Sequence, residues 1–162
     1  MNLAKKLTGM GINPFLATFL VSMVPVVELR GAIPVGAGLG VPIWLAALIS
    51  VVGNMLPVPF ILLFIRPVFA WMKCKSSCLG RLVEKLEARA EKKSEKVRKG
   101  EFWGLLFFVA IPLPGTGAWT GALIASMLNM RLKNALPPIF CGVVIAGVIV
   151  SLATAGVIQL LV

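Results

Sequence analysis

Apolar segments that proline and glycine interrupt limit the folds open to this chain. Residues 14–24 are apolar but occupy only 11 positions, and the sequence PVVELRGAIP follows at residues 25–34. A helix needs about 20 apolar residues to cross a bilayer. Irregular backbone persists at membrane depth only where protein buries it or where it lines a wet cavity. We therefore expect residues 14–39 to form two short arms around a non-helical centre that extends to Pro34.

The second half of the chain repeats this layout. Residues 102–111 are apolar and short, the sequence PLPGTGAW begins at residue 112, and another short arm occupies residues 120–130. Corresponding interrupted segments in two halves of a membrane protein indicate a transporter binding site. We call residues 23–36 the first tip and residues 112–121 the second tip.

A longer apolar segment follows each tip, at residues 42–71 and 139–162, and Pro137 and Pro138 are expected to begin the second one. Composition favours membrane residence, because 59% of the residues are hydrophobic and the mean hydropathy is +0.97, whereas soluble domains are about 45–50% apolar. The first long segment has one face of small or polar residues spaced by four, at Ala46, Ser50 and Asn54.

The fold class that these segments predict is an all-α integral membrane protein with a single membrane domain. Repeat one would occupy residues 13–72 and repeat two residues 101–162. Each repeat would be a re-entrant helical hairpin plus a transmembrane helix, and the two repeats would be inverted relative to each other.

A basic linker, residues 73–100, joins the two repeats. The chain has 16 Lys and Arg residues against 6 acidic ones, a net charge of +10, and 10 of the basic residues lie in this linker. Its apolar positions recur at helical spacing, at Leu79, Leu82, Val83, Leu86 and Ala90. We predict an amphipathic helix on the cytoplasmic membrane surface, acting as a solvated linker or as a site for anionic lipid headgroups. Basic charge beside apolar segments favours membrane lipids over nucleic acid as the partner.

Two topologies fit the interrupted segments. If they are re-entrant hairpins, each repeat crosses the membrane once, and Arg131 and Lys133 return to the cytoplasmic face. If they span fully, there are four crossings, the repeats are parallel, and Arg131 and Lys133 lie outside. The positive-inside rule places basic residues in the cytoplasm, so Arg131 and Lys133 favour the hairpin topology. Lys5 and Lys6 disfavour it, because the hairpin topology places them outside. Arms of about ten residues, half a crossing, favour the hairpins.

The residue types present argue against an enzyme. The sequence contains no Asp, His or Tyr, which excludes a Ser-His-Asp triad, a Cys-His pair and a histidine metal site. Cys74 and Cys78 are too few for zinc, which prefers about four ligands, and we interpret them as free thiols. We expect no catalytic residue, no metal and no cofactor.

Glu28 and Arg30 are charged residues deep inside an apolar segment. Such residues are rare and usually functional, since a charge at the bilayer centre costs roughly 3 kcal/mol on insertion scales. Arg30 is a candidate receptor for a phosphate or carboxylate group, Glu28 is a candidate proton carrier, and Gly31 follows them. The alternative is a simple ion pair that pins one hairpin to the other.

The second tip offers uncharged polar groups that could face this pair. The amides of Gly115, Thr116 and Gly117, together with the hydroxyls of Thr116 and Thr120, could bind an anion at a helix N-terminus. Trp119 lies between these groups. The alternative is that the glycines only permit a tight hairpin and close helix packing.

The sequences PVVELRGAIP at residues 25–34 and PLPGTGAWTG at residues 112–121 resemble the family of putative small multidrug export proteins, over most of the chain. The layout is also similar, more distantly, to the DedA-like membrane transporter superfamily. The resemblance implies transport, and the DedA-like similarity implies paired re-entrant hairpins and the movement of lipids such as undecaprenyl phosphate.

We therefore expect a small transporter in the cell membrane that moves an anionic amphiphile or a phosphate-bearing lipid, with proton coupling through Glu28. Its partners would be membrane lipids, the anionic substrate and protons, and not nucleic acid. Because one copy is small, we expect a homodimer. Two alternatives stay open: an exporter of drugs or other small molecules, and a non-transporting membrane scaffold or lipid-binding assembly factor.

Overall fold

The computed structural model describes residues 13–75, 80–88, 100–113 and 115–161. These residues form helices joined by short turns and include no β-strand, which confirms the prediction of an all-helical fold for the described part. The helices are α1 (Pro14–Met23), α2 (Glu28–Gly38), α3 (Ile43–Met55), α4 (Pro57–Lys75), α5 (80–88), α6 (Glu101–Ala110), α7 (Ala118–Met127) and α8 (Leu132–Leu161).

The interruption in the first tip is shorter than the sequence predicts. Only residues 24–27 separate α1 from α2, so the prediction of a non-helical centre extending to Pro34 is wrong. The chain reverses through Val26 and Glu28, whose φ angles are positive at 77° and 51°. Pro34 is accommodated inside α2 because it removes only one main-chain hydrogen bond of the helix. The first turn of α2 therefore carries both charged residues of the first tip.

Within the described residues, two apolar helical segments are long enough to cross a membrane, Ile43–Lys75 with 33 residues and Leu132–Leu160 with 29 residues. Leu56 divides the first into α3 and α4, where Pro57 interrupts the main-chain hydrogen bonds. The prediction that Pro137 and Pro138 begin the last helix is wrong, since α8 begins at Leu132 and contains both. The prolines leave two carbonyl groups near the helix start without helical partners, and the residues that carry them, Lys133 and Asn134, are exposed.

The core brings the two tips together, because it is shared by α2, α4, α6, α7 and α8. Its larger buried side chains are Leu29, Ile33, Val58, Ile61, Leu105, Val109, Ile124, Ile139 and Val143. Small residues allow the closest approaches between helices. A side chain at Gly53 would overlap Ser22 of α1, and one at Gly142 would overlap Val109 of α6.

Large apolar side chains cover much of the outer surface, among them Trp44 at 66% exposure and Leu152 at 69%. A surface of this kind suits lipid better than water. Together with the two long apolar helices, it supports membrane residence. The re-entrant hairpins, the inverted repeats and the repeat bounds stay predictions.

The structure describes three parts of the basic linker: residues 73–75 at the end of α4, helix α5, and residue 100. Val83 is buried, Leu86 is half-buried and Leu82 is exposed, as expected for an amphipathic helix with one packed face. Lys73 of α4 and Glu87 of α5 form an ion pair at 2.6 Å. Other residues named above, Lys5, Lys6, Cys78, Leu79 and Ala90, lie outside the described residues. The cytoplasmic position of the linker stays a prediction.

Candidate functional site

Arg30, in the first turn of α2, reaches across to the second tip. Its Nη2 donates to Thr116 Oγ1 at 2.9 Å and to the carbonyl of Ile111 at 3.3 Å, and its Nη1 donates to the carbonyl of Leu113. These carbonyls follow directly after the C-terminus of α6. Carbonyl groups there have no helical partner, and the helix dipole favours a cation at this end. Arg30 therefore caps α6 from another part of the chain.

The Thr116 hydroxyl organises the same turn. Besides accepting from Arg30, it lies 2.7 Å from the carbonyl of Ile111 and 2.8 Å from that of Leu113, and it accepts from the Leu113 amide at 3.3 Å. A hydroxyl carries one hydrogen, so its bond to the two carbonyls is shared or alternates between them. Thr116 thus links Arg30 to the backbone of the interrupted segment.

Glu28 occupies the N-terminus of α7. Its side chain is buried, with 4% exposure, and its Oε1 accepts a hydrogen bond from the Trp119 amide at 3.1 Å. The first amides of a helix have no helical acceptor, and the dipole favours an anion beside them. The sequence offered the amides of Gly115, Thr116 and Gly117 as an anion site. The amide that meets Glu28 is instead that of Trp119, and the Thr116 amide donates to the Leu113 carbonyl at 3.1 Å.

Gly117 makes this contact possible. Its backbone has φ 136° and ψ −173°, a conformation that is essentially restricted to glycine. A Cβ atom at this position would overlap the carboxyl oxygens of Glu28. The glycine is thus required both by its own backbone and by the approach of the carboxylate.

Glu28 and Arg30 do not pair with each other. Among the described residues the one ion pair is Lys73–Glu87, so the simple ion pair considered above is not formed. Residues two apart at the start of a helix point in different directions. Each charge instead meets a helix end of opposite sign at the second tip, the carboxylate at an N-terminus and the guanidinium at a C-terminus.

Arg30 lines a cavity of about 730 Å³ between α2 and α8. The other side chains around it are almost all apolar, with Pro34, Ala37, Ile149 and Ile158 among them. The hydroxyl of Thr154 is turned to its own helix and donates to the Val150 carbonyl at 2.7 Å. We call this space the arginine cavity.

Glu28 lines a different cavity, of about 320 Å³, which we call the glutamate cavity. It is bounded by the second tip and by apolar side chains of α4 and α5. The residues of the second tip that line it are Gly115, Thr116, Trp119 and Thr120. Thr116 lines the glutamate cavity while it accepts from Arg30, which lines the arginine cavity. The Arg30–Thr116 hydrogen bond therefore lies between the two cavities.

The structure brings most of the predicted site residues together. Glu28, Arg30 and the five named residues of the second tip lie around the contact between the tips. Gly31 does not: it faces Val27, whose side chain a Cβ at this glycine would overlap, and it lines neither of the two cavities.

Sequence reasoning missed Asn54 as a site residue. This side chain of α3 is fully buried beside the Glu28 carboxyl, and within the described chain neither of its amide atoms has a hydrogen bond of standard geometry. Ser50, one helical turn away, is also buried, and its hydroxyl has no hydrogen-bond partner among the described residues. One signal was available, since Asn54 is the only amide side chain in residues 42–71.

These features define a helical membrane protein in which charged side chains join two interrupted apolar segments. The chain belongs to the putative small multi-drug export protein family, whose model matches residues 28–149. The matched range includes the second tip and residues 28–36 of the first tip, and the predicted membership of this family is confirmed. The family is described as one of export proteins. Comparisons with curated proteins and with solved structures gave no match, and the more distant DedA-like similarity stays a prediction.

Proposed function

We propose that this export-family protein carries an anionic amphiphile, such as a phosphate-bearing lipid, and couples its movement to protons. The observation that carries the proposal is the position of Arg30 on the wall of an otherwise apolar cavity. A guanidinium binds phosphate or carboxylate through two parallel hydrogen bonds. The apolar walls of α2 and α8 offer a surface for the hydrocarbon part of the same molecule.

The present partners of Arg30 can give way to such an anion. They are two carbonyl oxygens and one hydroxyl oxygen, all uncharged. Hydrogen bonds between a cation and an anion are roughly twice as strong as those between neutral groups. A phosphate or carboxylate group arriving in the arginine cavity would therefore compete well for the guanidinium, and the contact between the tips would loosen.

Glu28 supplies the coupling. As a carboxylate it lies beside the first amides of α7 and accepts a hydrogen bond from that of Trp119, whereas a protonated carboxyl group is a weaker acceptor. Protonation would release these amides, which could then receive the anionic group of the substrate. Asn54 would offer the protonated side chain another partner. Loss of the proton would restore the carboxylate to α7 and expel the anion, so that one proton moves with each anion.

The contact between Arg30 and Thr116 would act as the gate, because it separates the arginine cavity from the glutamate cavity. Opening the contact would connect the two spaces. Re-entrant hairpins, with both tips at membrane depth, would place this gate within the bilayer. We expect the protein to act as a homodimer surrounded by membrane lipid, because one copy is small for a transporter.

Reconstitution tests the proposal. Purified protein in liposomes should move a fluorescent phosphatidic acid between leaflets, and Arg30→Gln should slow this movement about tenfold or more, because hydrogen bonds to a charged group contribute roughly 1.5–3 kcal/mol. Arg131→Gln is the matched control. It removes the same charge at an exposed residue outside the cavities and should leave the rate unchanged. A folded Arg30→Gln protein with the wild-type rate would contradict the proposal.

A second candidate, export of organic cations, is supported by one observation. Glu28 lines its cavity together with Trp119 and Phe69, whereas Arg30 is absent from that lining. A carboxylate with aromatic rings suits a lipophilic cation. Efflux of tetraphenylphosphonium that depends on Glu28 and is unaffected by Arg30→Gln would favour this candidate. If neither substrate moves and both variants only lower stability, the scaffold alternative is supported.

A further inference from the structure

A third cavity, of about 350 Å³, lies between α4, α5 and α7. Its polar lining residues are Arg66 and Lys73 of α4, Glu87 of α5 and Ser126 of α7. It shares three apolar lining residues with the glutamate cavity and so adjoins it, but Glu28 and Arg30 do not line it. An inference from this cavity therefore does not depend on the proposed function.

Ser126 indicates that the cavity receives a polar ligand. Its side chain is 4% exposed, and its hydroxyl has no hydrogen-bond partner within the described residues. Leaving a buried hydroxyl unpaired is unfavourable. An acceptor inside the cavity would satisfy this donor, and the cavity is large enough to hold one.

Arg66 adds a cation with donors to spare. Its guanidinium donates to Asn129 Oδ1 and to the carbonyl of Met127, the latter at 3.2 Å. A guanidinium has five N–H groups, so several donors stay available for a ligand. The two existing contacts hold the group at the cavity wall, which reduces the entropy lost on binding.

Lys73 adds a second cation, and Glu87 competes for it. Their ion pair is 2.6 Å long, and the side chains are 40% and 31% exposed. An ion pair as exposed as this contributes little to stability. An anion in the cavity can therefore take over Lys73 at small cost, and the carboxylate of Glu87 would turn to the solvent.

We propose that this cavity binds a phosphate group between Arg66, Lys73 and Ser126, with Glu87 as an internal competitor. Two cations and one hydroxyl match the charge and the acceptor oxygens of a phosphate. The group can belong to a phospholipid headgroup or to free phosphate.

The test measures binding by full-length protein in detergent, with phosphatidic acid in native mass spectrometry and inorganic phosphate in calorimetry. Arg66→Gln should weaken phosphatidic acid binding about tenfold, and Ser126→Ala about threefold, as expected for the loss of a charged and a neutral hydrogen bond. Glu87→Gln should strengthen it about threefold, because it frees Lys73 from a competitor. Arg81→Gln, with the same charge loss outside the cavity, should bind like the wild type.

Whether Glu87→Gln strengthens or weakens phosphatidic acid binding distinguishes a phosphate site from a set of charges that only stabilises the fold. Weaker binding in Glu87→Gln overturns the proposal, and so does an Arg81→Gln loss as large as that of Arg66→Gln, which indicates attraction by net charge alone. Retention of phosphatidic acid without inorganic phosphate supports a lipid headgroup as the source, and retention of both supports the phosphate group itself. Retention of neither overturns the proposal.

Discussion

The Glu28 carboxylate and the Trp119 amide are joined by a 3.1 Å hydrogen bond, although 91 positions separate the two residues in sequence. This bond places an anion at the N-terminus of α7. At the other end of α7, Arg66 donates to the Met127 carbonyl at 3.2 Å. Helix α7 is thus held at both ends by charges whose signs complement its dipole, and both charges come from the first half of the chain.

Replacing Gly117 should break the contact between the tips. Gly117→Ala puts a Cβ into the Glu28 carboxyl group and forces alanine into a backbone conformation reserved for glycine. We expect a loss of at least about 2 kcal/mol in the free energy of unfolding, measured by denaturing-detergent titration with circular dichroism. Gly156→Ala is the control. It meets no atom within 4 Å and should be neutral or gain about 0.5–1 kcal/mol. Equal stability of the two variants would contradict the contact.

Removal of the Thr116 hydroxyl should lower the free energy of unfolding more than removal of the hydroxyl of a threonine that bonds only within its own helix. Thr116→Val keeps the shape but removes the hydroxyl that accepts from Arg30 at 2.9 Å, so we expect a loss of about 1–3 kcal/mol in the free energy of unfolding. Thr154→Val is the comparison, since Thr154 bonds only the preceding turn of its own helix and should change stability by less than about 0.5 kcal/mol. A ranking in the opposite order would show that Thr116 does not link the tips.

The approach of α1 to α3 depends on Gly53. A Cβ there would overlap the Ser22 hydroxyl and lie 2.9 Å from the Phe19 carbonyl oxygen. Gly53→Ala should cost about 1–3 kcal/mol of unfolding free energy, and Ser22→Ala should restore part of it in the double variant. Gly147→Ala, whose Cβ meets only Val51 at 3.4 Å, is the control. If Ser22→Ala restores no stability in the double variant, overlap with Ser22 is not the cause of the loss.

Cysteine labelling tests the proposed hairpins. In a protein whose 3 native cysteines are replaced by serine, we expect Phe15→Cys and Pro42→Cys to react with an impermeant maleimide from one side. Phe102→Cys and Arg131→Cys should both react from the other side, which is cytoplasmic. Labelling of one pair from opposite sides would mean a full crossing, and the two tips could not then both be re-entrant.

Glu28 and Arg30 could be selected from the sequence, because a charged side chain in an apolar membrane segment is energetically unfavourable and is usually functional. It also indicated the second tip, since proline and glycine stop helices wherever they cluster. Both inferences depend on local chemistry. The all-helical fold and the membrane character could be predicted from composition and segment length, which are also local properties of the sequence.

The partners of these residues could not be predicted from the sequence. Which amide meets Glu28 and which carbonyl meets Arg30 depends on tertiary packing between segments more than 80 positions apart. The helical state of residues 28–34 was missed because α2 tolerates Pro34 at the loss of one hydrogen bond. Asn54 joins the site through the packing of α3 behind the first tip. Its amide stands out in an apolar segment, but the sequence does not show that it lies beside Glu28.

The central claim, that anion movement is coupled to protonation of Glu28, is tested most directly in liposomes with an imposed pH gradient. Uptake of dodecyl phosphate and the internal pH are recorded together. The account predicts that wild-type protein moves the anion and protons in the same direction, and that Glu28→Gln abolishes the movement of protons. Anion uptake at the wild-type rate without any accompanying proton flux, or a Glu28→Gln variant with unchanged coupling, would contradict it.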